Sequence, residues 1–230
     1  MEKDSTSTPL FLSIEGNIGS GKSTLLEYLK TLDEFKNTLF VKEPVNEWRN
    51  MIGNTDTEKN INILDAYYKD SKRWSYSFQT FAFITRYLEL ERIINDNNGN
   101  SSIIISERSH LSDREIFAKT LYQKGDMCDL EYKMYLHWFN ILSEKHKYKK
   151  IIYVRTNPIT SYNRIKKRSR MEEMNVPYEF IEFLHLKHEE WLNNTTIDVL
   201  ILDGNIDIDD TNNILHHHKE AILKFLKSYR

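Results

Sequence analysis

Five short apolar runs divide the chain, and between them apolar residues recur at the three- and four-residue spacing of helices. The runs are 10–14 (LFLSI), 39–44 (LFVKEP), 102–109 (SIIISERS), 150–156 (KIIYVRT) and 199–204 (VLILDG). Strands buried on both faces carry such unbroken apolar stretches, whereas half-exposed strands alternate. Pro44 ends the second run, and NDNNGNSS at 95–102 is a loop by composition. Helices are predicted over 22–32, with Leu25, Leu26 and Leu29 at core spacing, and over 61–95, which is rich in aromatics. A third helical stretch holds Phe117, Leu121, Tyr132, Tyr135 and Trp138 and breaks near Gly125. A long charged helical stretch follows the fourth strand, and an amphipathic helix runs from about 210 to 229. Strands alternating with helices imply a parallel sheet covered on both faces, an α/β fold in one domain over 1–230, with 1–9 flexible.

Composition narrows the picture by exclusion. The 230 residues are 40% hydrophobic, enough for one sizeable core. A net charge of −2 and a pI near 6.5 give no reason to expect a nucleic-acid or membrane partner. Cys128 stands alone, which excludes an intrachain disulfide framework and fits a reducing compartment. No apolar run reaches bilayer-spanning length. The opening MEKDSTSTP resembles neither a secretory signal nor a mitochondrial transit peptide, so a cytoplasmic location is expected. His216, His217 and His218 lie within the last helix, where consecutive rings diverge, and they are not expected to bind metal.

Glycine use introduces the chemistry. Three of the seven glycines fall within six positions, in Gly16-Asn17-Ile18-Gly19-Ser20-Gly21-Lys22-Ser23-Thr24. The first eight residues match G-x-x-x-x-G-K-[ST], between a predicted strand and a predicted helix. Backbone N–H groups close around a polyphosphate only where side chains do not obstruct them, and the helix N-terminus adds partial positive charge. Lys22 would reach the β- and γ-phosphates and the Ser23 hydroxyl would ligate Mg²⁺. GTPase switches, motors and small-molecule kinases share this loop, so the phosphoryl acceptor has to be read elsewhere.

Three constellations bear on the acceptor. Glu43, after the second strand, falls where open parallel sheets place ligands, and its carboxylate could take an acceptor's proton; alone, it would also pass for a solvated charge. Glu107-Arg108-Ser109 closes the third strand: Glu107 could meet Mg²⁺, and Arg108 could stabilise charge on a moving phosphoryl group, or the two could simply be a capping ion pair. Arg164, Arg168 and Arg170, followed by Glu172 and Glu173, suit a lid over a triphosphate at about 162–176, or else a solvated basic face. RNA binding by that patch lacks an adjacent stacking platform.

Together EGNIGSGKST, EPVNEW, RWSYSFQTFAFITR, ERSHLSDREIFA, the arginine lid and VPYEFIEFLHLKHEEWL, in this order, resemble the deoxynucleoside kinase family over about Phe11 to Asn205. The resemblance implies transfer of the ATP γ-phosphoryl group to a deoxynucleoside 5′-hydroxyl, with Mg²⁺ held through Ser23 and Glu107. It implies Glu43 as general base and Arg108 as the residue orienting it. Gln79 would pair with the base edge, Phe78 and Phe117 would stack on it, and Trp48, Val45 and Leu64 would wall the pocket. Tyr68 and Glu173 would hold the sugar 3′-hydroxyl, and Arg164, Arg168 and Arg170 would form the lid. Pyrimidine-restricted members tend to have apolar residues at the places of Arg86 and Asp113. With Ala82 leaving room, purines are expected first, deoxycytidine as competitor, and thymidine as a poor substrate. Tyr67 and Phe83 are expected to narrow the pocket. The resemblance further implies a homodimer, through exposed aromatics at 74–90 and 132–142, and feedback inhibition by a deoxynucleoside triphosphate. The rival readings are a nucleoside monophosphate kinase such as thymidylate kinase, and a non-catalytic structural relative.

Overall fold

A computed structural model describes residues 9–51, 61–97, 101–170, 173, 176–207 and 213–227. Residues 1–8, expected to be flexible, and part of the expected lid lie outside the described residues. β1 (Leu10–Glu15) leads into α1 (Lys22–Lys30), a 3₁₀ turn (Asp33–Phe35) and β2 (Thr38–Val41). Then come α2 (Val45–Arg49), α3 (Ile63–Lys69), α4 (Ser71–Asp96) and β3 (Ile103–Glu107). Next are α5 (His110–Ser112), a π turn (Asp113–Ala118), α6 (Lys119–Gln123) and α7 (Asp129–Ser143). The chain continues through β4 (Tyr148–Arg155), α8 (Pro158–Arg168), α9 (Tyr178–Asn194), β5 (Asp198–Asp203) and α10 (Ile214–Lys227).

The strands form one parallel sheet in the order β2-β3-β1-β4-β5. All six residues of β1 are buried, as its unbroken apolar run requires. Leu12 and Ile14 pack with Leu25, Leu26 and Leu29 of α1 and Ile222 of α10, while Phe11 meets Leu90 of α4. Ile151 and Tyr153 of β4 pack with Leu192 of α9. Helices thus cover both faces, as an α/β parallel sheet demands. β1 ends between β3 and β4, so the crevice beyond its carboxyl end is where such sheets bind ligands.

Two elements depart from the sequence pattern. The helix expected over 61–95 is two helices, because Asn62 and Asp70 each start one: their side chains accept the Asp65 N–H at 2.9 Å and the Arg73 N–H at 3.1 Å. The fifth strand is not buried on both faces. β5 is the edge strand and Ile201 faces outward, so an apolar run alone does not separate an edge from a centre.

Candidate active site

The phosphate loop links β1 to α1. Gly19 (φ 77°) lies so close to α8 that a Cβ would sit 2.5 Å from the Ser161 carbonyl oxygen. Gly21 (φ 96°) has open space around it, so glycine is needed there for its left-handed backbone, just before the first residue of α1. Ile18, Gly19, Gly21, Lys22, Ser23 and Thr24 line a cleft of about 520 Å³, whereas Gly16, Asn17 and Ser20 lie behind it. Asn17 anchors the loop: Nδ2 donates to the Ile181 carbonyl of α9 at 2.7 Å, and Oδ1 accepts the Ile18 N–H at 2.8 Å. Lys22 curls back to donate to the Asn17 carbonyl at 2.7 Å. Burial and nearby Arg108 pull its ammonium down to about 7, against the opposing pull of Glu107, Glu43 and Glu15.

Beyond the loop, β2, α4, β3 and the π turn bring one guanidinium between two carboxylates. Arg86 donates from Nη2 to Glu43 Oε1 at 2.8 Å and from Nε to Asp113 Oδ2 at 2.8 Å, with Nη1 on the Glu107 carbonyl at 3.1 Å. Arg108 Nε also faces Glu43 Oε1, at 3.5 Å. Burial pushes the Glu43 carboxyl up, but Arg86, Arg108 and Lys22 together outweigh it and hold it at about 2. Arg108 lies over the Phe117 ring at 4.9 Å, and its Nη1 is buried with no partner among the described residues. A buried guanidinium donor without a partner is costly and marks a place for an anionic oxygen. Ser23 Oγ donates to Glu107 Oε1 at 2.6 Å, joining the phosphate loop to the end of β3.

The far wall is aromatic. Val45, Trp48, Leu64, Tyr68, Phe78, Gln79, Ala82 and Phe117 all line the cleft, as does Tyr67. Tyr67 and Phe78 stack at 4.8 Å, and Trp48 meets Phe78 edge-on at 5.7 Å while donating Nε1–H to Thr85 Oγ1 at 2.9 Å. Phe83 does not narrow the pocket: it points away from the cleft into the core against Tyr135 and Phe139. Burial, then the Tyr67 and Glu173 neighbours, push the Tyr68 phenol up, so it stays a neutral hydroxyl.

The arginine segment closes the other side. Arg164 and Arg168 lie on α8 and Arg170 lies beyond its end; all three line the cleft. Arg164 is already engaged, donating to the Gly204 carbonyl at 2.6 Å and to Asp207 Oδ1 at 2.7 Å, which ties α8 to the segment after β5. Arg168 and Arg170 both pair with buried Glu173. Glu15 lies outside the phosphate-loop motif, yet its Oε1 accepts from Ser109 N at 2.9 Å and Ser109 Oγ at 2.6 Å. An acidic residue closing an otherwise apolar strand was the available signal.

A glycine loop with a buried lysine, facing a carboxylate gripped by two arginines, is the layout of a phosphoryl-transfer site. The sequence model of deoxynucleoside kinases matches residues 12–227. The chain belongs to the deoxynucleoside kinase family. Its activity is therefore phosphorylation of deoxynucleosides, as a phosphotransferase of this ATP-dependent family. Among its relatives, the probable deoxycytidine kinase of fowlpox virus is 40% identical, over 87% of this chain and 82% of the relative. Human mitochondrial thymidine kinase 2 is 33% identical, over 95% and 76%. Mitochondrial deoxyguanosine kinase of Xenopus laevis is 35% identical, over 82% and 75%. Those three names span three bases, so membership of this kinase family leaves base preference open. No described helix of this deoxynucleoside kinase is long and apolar enough to cross a membrane.

Proposed function

We propose that this kinase transfers the ATP γ-phosphoryl group to the 5′-oxygen of deoxynucleosides, purines first, with deoxycytidine accepted and thymidine poor. The observation that carries it is the Glu43 carboxylate, held by Arg86 and Arg108 in the same cleft as Lys22. The 5′-oxygen forms a bond to the γ-phosphorus, the bond to the β-bridging oxygen breaks, ADP leaves, and Glu43 takes the hydroxyl proton. A carboxylate near 2 is a weak base, which suits a loose transition state in which the proton leaves late. The open Arg108 Nη1 is available to charge on the transferring group. Ser23 Oγ and Glu107 Oε1 are hard oxygen donors at the phosphate end, and no cluster of three or more metal-ligating residues occurs among the described residues. That suits Mg²⁺, which takes few protein ligands and otherwise binds water and phosphate. When bound it would neutralise charge on the β- and γ-oxygens.

The purine preference draws on Ala82, small and buried at the cleft, and on the Arg86–Asp113 pair, which offers donors and acceptors to a ring edge. The fowlpox relative's name supports deoxycytidine as the competing substrate. Tyr68 and Glu173 would hold the sugar, and Arg168 and Arg170 would exchange Glu173 for phosphate as the lid closes. We also propose that two copies associate through α7. The deciding experiment is a kcat/KM panel of the four deoxynucleosides with ATP and Mg²⁺. Thymidine outrunning the other three would overturn the base preference. Glu43→Ala is expected to lose at least about 100-fold in kcat with ATP binding largely kept, within the range for general-base catalysis. Unchanged turnover would remove Glu43 as the base.

A further inference from the structure

We infer that Glu15, which does not line the cleft, is a positioning residue that fixes the backbone turn carrying Arg108. This rests on the proposed role of Arg108 at the transferring phosphoryl group. Arg108 has φ 61°, a strained left-handed conformation that a side-chain-bearing residue keeps only when its surroundings over-determine it.

Its restraints can be followed atom by atom. The Arg108 N–H donates to the Ile14 carbonyl at 3.0 Å, extending the β1–β3 ladder by one residue. The Arg108 carbonyl accepts from Ser106 Oγ at 2.7 Å. Ser106 has one hydroxyl proton and a carbonyl can only accept, so Tyr148 must be the donor in its 2.8 Å contact with Ser106 Oγ. The peptide N–H following Arg108 belongs to Ser109 and ends on Glu15 Oε1, which also takes the Ser109 hydroxyl. Both peptide groups flanking Arg108 are thereby fixed, and the last restraint is a charged acceptor.

Glu15 suits this task and no simpler one. It is fully buried, where an apolar residue would continue the strand, and its Oε2 has no partner among the described residues. A carboxylate is kept in such a place only for the bonds it makes. It immediately precedes Gly16, so one residue ties the start of the phosphate loop to the turn that aims Arg108 at Glu43. Errors in that turn are magnified along the arginine side chain, and a misplacement of about 1 Å at a reacting centre costs roughly 100-fold.

The test is a double-mutant cycle of Glu15→Ala with Arg108→Lys, reading kcat and both KM values at a temperature where every variant is folded. Glu15→Ala is expected to lower kcat about 100-fold, with the KM for ATP changed by less than about threefold. Added to Arg108→Lys, it should cost little more, because the two act through one group. Glu15→Gln keeps an acceptor for the Ser109 N–H and should recover most of the loss; if the alanine variant fails to fold, Glu15→Leu, which also lacks an acceptor but fills the buried strand position, takes its place in the cycle. An equal fall in kcat in both backgrounds, or no fall with Glu15→Ala, overturns the positioning role and leaves the proposed reaction intact. A silent Arg108→Lys together with a silent Arg108→Ala would instead overturn the role of Arg108, and this inference with it.

Discussion

Lys22 is a residue whose charge depends on what occupies the cleft. Buried beside Arg108, its ammonium in the empty site is held at about 7, against an ordinary value of 10.5. A polyphosphate brings several negative charges to the same atom and restores the protonated form. At pH 8 the empty site is therefore mostly neutral at Lys22 and the occupied site mostly charged, so ATP binding takes up a proton. Calorimetric titration with ATP at pH 8, in two buffers of different ionisation enthalpy, is expected to show uptake of up to about one proton, from the occupancy such a shift implies. Affinity should fall as pH rises through 7, and Lys22→Met should abolish the uptake. Proton release instead would contradict this account. The place of this lysine in the loop was legible in the motif, whereas its lowered basicity was not, since that comes from burial by distant elements and then from Arg108, distant in sequence. The same limit explains Glu15 and Phe83. Whether a side chain near a motif faces the cleft or the core is decided by elements far along the chain.

At the scale of elements, phosphate loop and α8 meet at one point. An alanine at Gly19 would add a Cβ 2.5 Å from the Ser161 carbonyl oxygen and 3.1 Å from Ile165 Cγ1, on a backbone at φ 77°. A carbonyl within a helix cannot turn aside as a side chain does, so loop and α8 must separate. Gly19→Ala is expected to weaken ATP binding by at least about tenfold, the worth of one hydrogen bond to a charged phosphate lost as the loop shifts. Gly125 supplies the control: it has φ 77° with nothing within 4 Å of the added carbon. Gly125→Ala should lower the unfolding midpoint slightly and leave the ATP Kd within twofold of wild type, an estimate resting on strain without steric contact. Equal effects at the two sites would remove the loop–helix contact as the cause. The alternation of strands and helices was readable because each apolar run is local. Strand order, the edge position of β5 and the division of 61–95 into two helices were not. The first two depend on long-range pairing, and the third on capping by Asn62 and Asp70 within an otherwise continuous apolar rhythm.

At the scale of the whole molecule, an uncovered apolar stripe lies on α7. Tyr135 and Phe139 of that helix are buried, while Leu130, Met134, Trp138 and Ile141, spaced four, four and three residues apart, share its exposed face. Of the aromatics expected to be exposed over 74–90, Phe78 faces the cleft and Phe83 the core, while Trp74, Tyr76, Phe81 and Tyr87 are half-buried. On α4 the exposed large apolar residue is Leu88. A stripe of this kind is more than scattered surface apolarity and suits a two-fold contact, in which each copy presents the same patch to the other. One substitution then acts twice. Trp138→Glu would place two carboxylates in a single apolar contact, so it is expected to yield monomers at micromolar concentration where the wild type sediments as a dimer. None of the described residues lining the cleft lies on α7. Turnover per site in the monomeric variant should therefore stay within about threefold of wild type, since distant sites with no shared partners act independently. A wild-type protein that sediments as a monomer would remove the two-fold contact. Loss of turnover in step with loss of the dimer would mean that the α7 contact supports the cleft through α4, which α7 packs against.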